Sequence, residues 1–230
     1  MVKKLNNLFF IIFVFANVTF SPKVVAQQLP KGFSYIQEKI PTIALELRYY
    51  STNNFIGKPI DAYNKPVGIA TTKAVEQLNK VQCELKKMNL GLKIFDAYRP
   101  QTAVNHFVKW ARDLNDTLQK PLFYPNVEKN VLFKEGYIAS KSGHTRGSTI
   151  DLTIINLSTK KELDMGSPYD FFGKESWVSH QELTAKQKEN RQLLQRIMLK
   201  YNFRNYPQEW WHFTLRNEPF PNTYFDFPIE

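Results

Sequence analysis

Two histidines, an aspartate and a glutamate stand in this chain in settings that suit metal chemistry. The run Ser142-Gly143-His144-Thr145-Arg146-Gly147-Ser148-Thr149-Ile150-Asp151 ends in a strand-like alternation. Ile150, Leu152 and Ile154 fall on one face, and Thr149, Asp151 and Thr153 on the other. The apolar face must enter the core, which aims Asp151 at a polar site. Gly147 permits a turn that brings His144 back toward Asp151, and an imidazole with a carboxylate makes two suitable ligands for Zn²⁺. A second run, Glu209-Trp210-Trp211-His212, opens a strand, and His212 is the candidate third ligand. Three protein ligands leave the fourth tetrahedral position to water, which marks a catalytic rather than a structural zinc. Zinc lowers the pKa of its water from ~15.7 to about 7. A carboxylate must then take the proton, and Glu209 is the candidate base. Residues three apart in a regular strand face opposite ways, so Glu209 is predicted to precede the strand or to sit at a bulge.

Each of these residues has a plainer alternative. A lone histidine is most often structural or exposed, and His106, on a helical stripe, and His180, in a polar loop, are read that way. Asp151 alone would serve to cap a turn, and Glu209 with His212 would serve as a solvated pair beside two core tryptophans. The two runs support each other, because each supplies what the other lacks.

The elements that must position these groups follow from periodicity. Thr42 to Tyr50 reads as a strand. Lys73 to Met88 carries apolar residues at helical spacing and is expected to stop at Gly91. Leu92 to Ala97 is a short buried strand that delivers Asp96-Ala97-Tyr98-Arg99-Pro100, and Thr102 to Leu114 is again helical. Ile150 to Ile155 is a strand, and Glu182 to Tyr201 a long helix buried along Leu193, Leu194, Ile197, Met198 and Tyr201. A last strand spans Glu209 to Leu215. Helices and strands mix without βαβ regularity, which predicts one α+β domain with a central antiparallel sheet flanked by helices.

Composition narrows the setting. The chain has 230 residues, 43% hydrophobic and 23% charged, the balance of a globular protein with a full core. Its single cysteine, Cys83, excludes an internal disulfide and is expected to be buried and inert. Met1-Val2-Lys3-Lys4 is a basic segment, Leu8 to Val18 is apolar, and Val24-Val25-Ala26 offers small residues for cleavage. That pattern predicts a signal peptide over 1–26 and export, periplasmic or secreted. The apolar run of about 11 residues is too short for the ~20 that span a bilayer, so no stable membrane anchor is expected after cleavage. Loss of three lysines with the leader lowers the net charge from +10 to +7, with 28 basic against 21 acidic residues. The basic residues form no Arg-rich block, so nucleic acid is not an expected partner.

The chain resembles the D-Ala-D-Ala dipeptidases of the VanX type, among the zinc D,D-peptidases. The likeness is carried by Asn54-Phe55-Ile56-Gly57-Lys58-Pro59, Asp96 to Pro100, Ser142 to Asp151, Met165-Gly166-Ser167-Pro168-Tyr169-Asp170, Glu209 to His212 and Asn222 to Pro228. It covers nearly all of residues 27–230 and implies the hedgehog/D,D-peptidase-like architecture. It also implies one Zn²⁺ per chain on His144, Asp151 and His212, Glu209 as general base and Arg99 as oxyanion stabiliser. Tyr49, Ser142 and Asp170 match residues that hold the substrate's free amino group, and the implied substrate is D-Ala-D-Ala, linking the chain to peptidoglycan metabolism. The exporting leader departs from the resistance enzymes, which act on a cytoplasmic pool, and favours wall turnover or scavenging. Gly143 stands where the motif often carries a larger residue. Two alternatives remain open at this point: a D,D-carboxypeptidase trimming stem peptides, and a non-catalytic wall-binding module with a structural metal.

Overall fold

Thr149–Asn156, the strand marked by alternating residues, lies at the centre of a five-stranded sheet in the computed structural model, which describes residues 28–230. The predicted leader falls outside the described residues. In chain order the elements are β1 (Phe33–Tyr35), α1 (Ile36–Lys39), β2 (Ala44–Leu45), β3 (Ile69–Thr71), α2 (Thr72–Lys86) and β4 (Leu90–Asp96). They continue with α3 (Gln101–Arg112), α4 (Lys120–Phe123), β5 (Thr149–Asn156), α5 (Ala185–Lys200), β6 (Phe203–Tyr206) and β7 (Glu209–Leu215). The main sheet runs β2-β4-β5-β7-β6; β2 joins parallel to β4, and the other neighbours are antiparallel. A two-stranded β1-β3 ribbon stands apart. Helix α2 packs on β4, and α5 packs on β6 and β7. This is the mixed α+β domain that the pattern predicts.

Several boundaries differ for physical reasons. The strand expected over Thr42–Tyr50 shrinks to β2; Glu46 N still donates to Ile94 O at 2.9 Å, and then a 3₁₀ turn over Arg48–Tyr50 swings Tyr49 inward. Asn89, at φ 57°, ends the α2 region, and Gly91 lies inside β4. Gln82 turns inward in place of Cys83: its amide donates to Thr42 O and accepts from Leu92 N, while Cys83 is exposed. Both faces of β5 are covered, so its polar face is buried and not solvated. Helix α5 begins at a capping box between Thr184 and Gln187. Its stripe buries Leu194, Ile197 and Met198, with Leu193 and Tyr201 packed at the margin. Among the described residues no helix is long and apolar enough to cross a membrane.

The turn that returns His144 toward β5 depends on Gly147, which caps the 3₁₀ turn Gly143–Arg146 at φ +80°. A Cβ there would stand 2.3 Å from the Phe33 ring. Gly147→Ala is therefore expected to combine left-handed strain with a steric overlap and to destabilise by about 3 kcal/mol. Chemical denaturation checks this, and a loss below about 0.5 kcal/mol would show that the turn has another way to close.

Candidate metal centre and its cavity

Antiparallel pairing puts Asp151 of β5 directly opposite His212 of β7. The Gly147 turn then lays His144 over the same spot. His144 Nε2 lies 3.2 Å from Asp151 Oδ2, His212 Nδ1 lies 3.1 Å from Asp151 Oδ1, and the two ring nitrogens are 3.4 Å apart. A cation held tetrahedrally by bonds of about 2.0–2.1 Å sets its ligand atoms about 3.3 Å apart. These three side chains form a group that could hold a metal ion. Two further observations fit one. Asp151 Oδ1 is buried and makes no hydrogen bond, an orphan acceptor that a cation would satisfy. His144 Nδ1 lies 2.7 Å from Ala97 O and donates its proton there, which leaves Nε2 with a lone pair facing the site.

The surroundings favour the ionised form of Asp151. Burial disfavours charge on Asp151, but His144 and His212 outweigh it and hold the carboxyl well below its usual range. Burial likewise opposes charge on His212, yet the nearby carboxylates of Asp151 and Glu209 lift its pKa to about 9.

Glu209 opens β7 with Oε2 3.1 Å from His212 Nδ1, so residues three apart meet on one side of the strand. The reason is the irregularity predicted from their spacing. The β6–β7 register slips between Asn205, opposite Phe213, and Tyr206, opposite Glu209. Arg99 follows β4. Its Nε and Nη2 each lie 2.9 Å from Asp96 Oδ2, and Nη2 lies 3.6 Å from Asp151 Oδ2. Its guanidinium plane rests near the rings of Tyr49 and Phe107, at 5.0 and 5.1 Å. Burial opposes that charge, but Tyr49, Asp96 and other phenolic and acidic neighbours more than restore it.

Tyr49 is 2% exposed and donates to Asp170 Oδ2 at 2.9 Å, whereas its neighbour Tyr50 is 41% exposed and outside the site. Asp170 is buried at φ 60°; burial, then the nearby Asp151, pushes its carboxyl well above the ordinary value of 3.8. Ser142 accepts from His144 N at 3.2 Å, which leaves its hydroxyl hydrogen free to turn to the cavity. A cavity of about 320 Å³ is lined by all eight predicted site residues, among them Glu209, Arg99, Asp170 and the three ligand candidates. His106 and His180 stay outside it. A Cβ on Gly143 would meet Thr149 Oγ1 at 2.8 Å, which accounts for the small residue there.

Three supporting groups were not singled out as site residues in the sequence. Asp96 receives Tyr63's hydroxyl at 2.6 Å as well as Arg99, and its Oδ2 lies 3.5 Å from His144 Nδ1, so one buried carboxylate orients both. Its place three residues before Arg99, an acid beside a buried cation, was the available signal. Tyr169 stacks on Phe95 and sets its hydroxyl 3.2 Å from both Asp151 Oδ2 and Tyr49. Arg191 of α5 is buried, and it donates to Met165 O, Glu175 O and Trp177 O around the loop that presents Tyr169 and Asp170. Burial lowers its pKa to about 10, with only Asp164 opposing.

A family profile described as D-ala-D-ala dipeptidase matches residues 30–230. The chain is 38% identical over 199 residues to a D-alanyl-D-alanine dipeptidase of Enterococcus faecium, covering 86% of this chain and 98% of that one. A Streptomyces coelicolor protein of the same name is 38% identical over 200 residues, covering 86% and 98%. The Escherichia coli protein of that name is 30% identical over 175 residues, covering 76% and 80%.

Asp170 yields a stability test. Its folded pKa is raised, so the metal-free protein should lose stability as pH climbs from the unfolded carboxyl's value of about 4 through the folded one. Asp170→Asn keeps an acceptor for Tyr49 and removes the buried charge. Its Tm is expected to exceed that of the parent at pH 7.5 by more than at pH 4.5. An equal or reversed difference would show that Asp170 is not charged against its surroundings.

Proposed function

Because the chain belongs to the D-Ala-D-Ala dipeptidase family, we propose that it hydrolyses D-alanyl-D-alanine and similar free dipeptides, with zinc at His144, Asp151 and His212. The observation that carries this reading is the convergence of three ligand atoms, a carboxylate, a guanidinium and a second, buried carboxylate on one small cavity. One zinc ion per chain would supply Lewis acidity, acidifying water and polarising the peptide carbonyl.

The chain's own groups do the rest. Glu209 accepts a proton from the attacking water and passes it to the leaving amine. Its carboxylate already faces the ligand nitrogen of His212. Arg99 meets the negative charge that develops on the carbonyl oxygen, a task suited to a permanently charged fork held still by Asp96 and two aromatic rings. Asp170, with Tyr49 bonded to it and Ser142 on the cavity wall, receives the substrate's ammonium. An ammonium there would neutralise a carboxyl that burial otherwise disfavours, which selects substrates with a free amino end. That requirement favours dipeptides over the stem peptides of a carboxypeptidase. The presence of Glu209 and Arg99 at the centre favours catalysis over a structural metal.

The same reading takes residues 1–26 as an export leader and 27–230 as the mature domain, of the D,D-peptidase-like architecture. It places the enzyme outside the cytoplasm, in the periplasm or secreted, in peptidoglycan turnover or scavenging. The basic start and apolar run support export.

Purified protein is expected to release D-alanine from D-Ala-D-Ala, to lose activity with a chelator and to regain it with zinc. Glu209→Gln should lower kcat on the order of 10³-fold while metal content stays at one ion per chain. Activity retained in that variant would remove Glu209 from the mechanism. A metal-loaded parent inert toward every free dipeptide would overturn the assignment itself.

A further inference from the structure

We propose that Lys141 binds the carboxylate of the dipeptide's second residue, so that the enzyme reads both ends of its substrate. The inference rests on the dipeptidase reading above, in which Asp170 takes the ammonium. A free dipeptide is a zwitterion. If its ammonium occupies the buried acid, its carboxylate arrives elsewhere in the same cavity and requires a cation there.

The cavity wall offers three permanently or normally cationic side chains, Arg99, Lys141 and Arg146. Arg99 is committed at the centre, with two nitrogens on Asp96 and one 3.6 Å from Asp151. Arg146 forms a two-pronged pair with Glu218, Nε to Oε2 at 2.8 Å and Nη2 to Oε1 at 2.9 Å, so its charge is met. Lys141 has no such partner. Among the described residues no carboxylate lies within salt-bridge distance of its Nζ, which rests 4.9 Å from the centre of the Tyr224 ring. Its side chain is exposed, at the rim, and its backbone leads straight into Ser142 and His144. The lining thus carries separate charges: a buried acid whose proton affinity is raised, the ligand candidates with Arg99 beside Asp151, and an exposed lysine whose charge no neighbouring carboxylate meets among the described residues.

This arrangement has a consequence for specificity. Asp170 requires that nothing precede the first residue, and Lys141 favours that nothing follow the second. The lysine therefore separates a dipeptidase from an aminopeptidase that would accept longer chains. A compact charge on a flexible stem also tolerates variation in the second side chain, because it fixes a point and not a plane.

The test compares kcat/KM for D-Ala-D-Ala with that for its C-terminal amide in the parent, Lys141→Gln, Lys141→Glu and Lys141→Arg. Because residue 141 is exposed, none of these changes removes core packing. The parent is expected to prefer the acid. Lys141→Gln should cut the acid-to-amide ratio about tenfold, chiefly through KM. Lys141→Glu should lower the ratio further, and Lys141→Arg should keep most of it. A parent active on the acid whose ratio stays the same in the Gln and Glu variants overturns the lysine assignment alone. A parent inert toward both substrates removes the dipeptidase reading, and this inference with it.

Discussion

The site depends on one buried anion. Asp151 lies in the middle strand of the sheet, out of water, and a carboxylate in that position is tolerable only if cationic or metal partners surround it. Each side supplies one: His144 from the turn before β5, His212 from the opposed residue of β7, and Arg99 from the loop after β4. Tyr169 adds a hydroxyl from the loop beyond. The register of three strands is therefore bound to one oxygen pair. Slipping β7 by one residue would turn His212 away and leave the charge uncompensated.

Around that centre the charges are ordered. Asp96 serves Arg99 and stands close behind His144, Glu218 serves Arg146, and Asp170 is bonded to the Tyr49 phenol while burial and the nearby Asp151 outweigh the charge of Arg99. An acid kept this poorly stabilised is a cost to the fold, which a cationic group entering the cavity would relieve. The strain extends to the backbone, since Asp170 holds a left-handed conformation that costs a non-glycine residue of order 1 kcal/mol or more. What offsets it comes from α5 and from Trp210 of β7. Gln187, Asn190 and Arg191 grip the loop at Asp164, Met165, Glu175 and Trp177, and Trp210 donates to Ser167. Among the described residues Arg191 bonds to carbonyls and to no carboxylate, so the grip does not compete with Asp170 for an ion pair.

Much of the site was legible because its signals are local. The alternation of Ile150 to Ile154 aimed Asp151, and Gly147 announced a turn that only a residue tolerant of positive φ can make. The spacing of Glu209 and His212 demanded an irregular strand, and a register slip lies just there. The boundaries that shifted did so through long-range contacts. Tyr49 leaves the extended path to reach Asp170, 121 residues away, and Gln82 rather than Cys83 is drawn inward by Thr42 and Leu92.

By itself, the order of residues determined the kind of chemistry: two imidazoles and a carboxylate in turn-and-strand settings, with an acid three residues before the last histidine. Residue type sets donor atoms, and alternation sets faces, so neither needs the whole fold. Tertiary structure alone decided the company those groups keep. It made Asp96 and Tyr169 their supports, buried Asp170 until its proton affinity rose, and paired Arg146 with Glu218 while leaving Lys141 without a carboxylate partner among the described residues. Charge pairing and desolvation depend on distances between segments far apart in the chain, and those distances exist only once the sheet has closed.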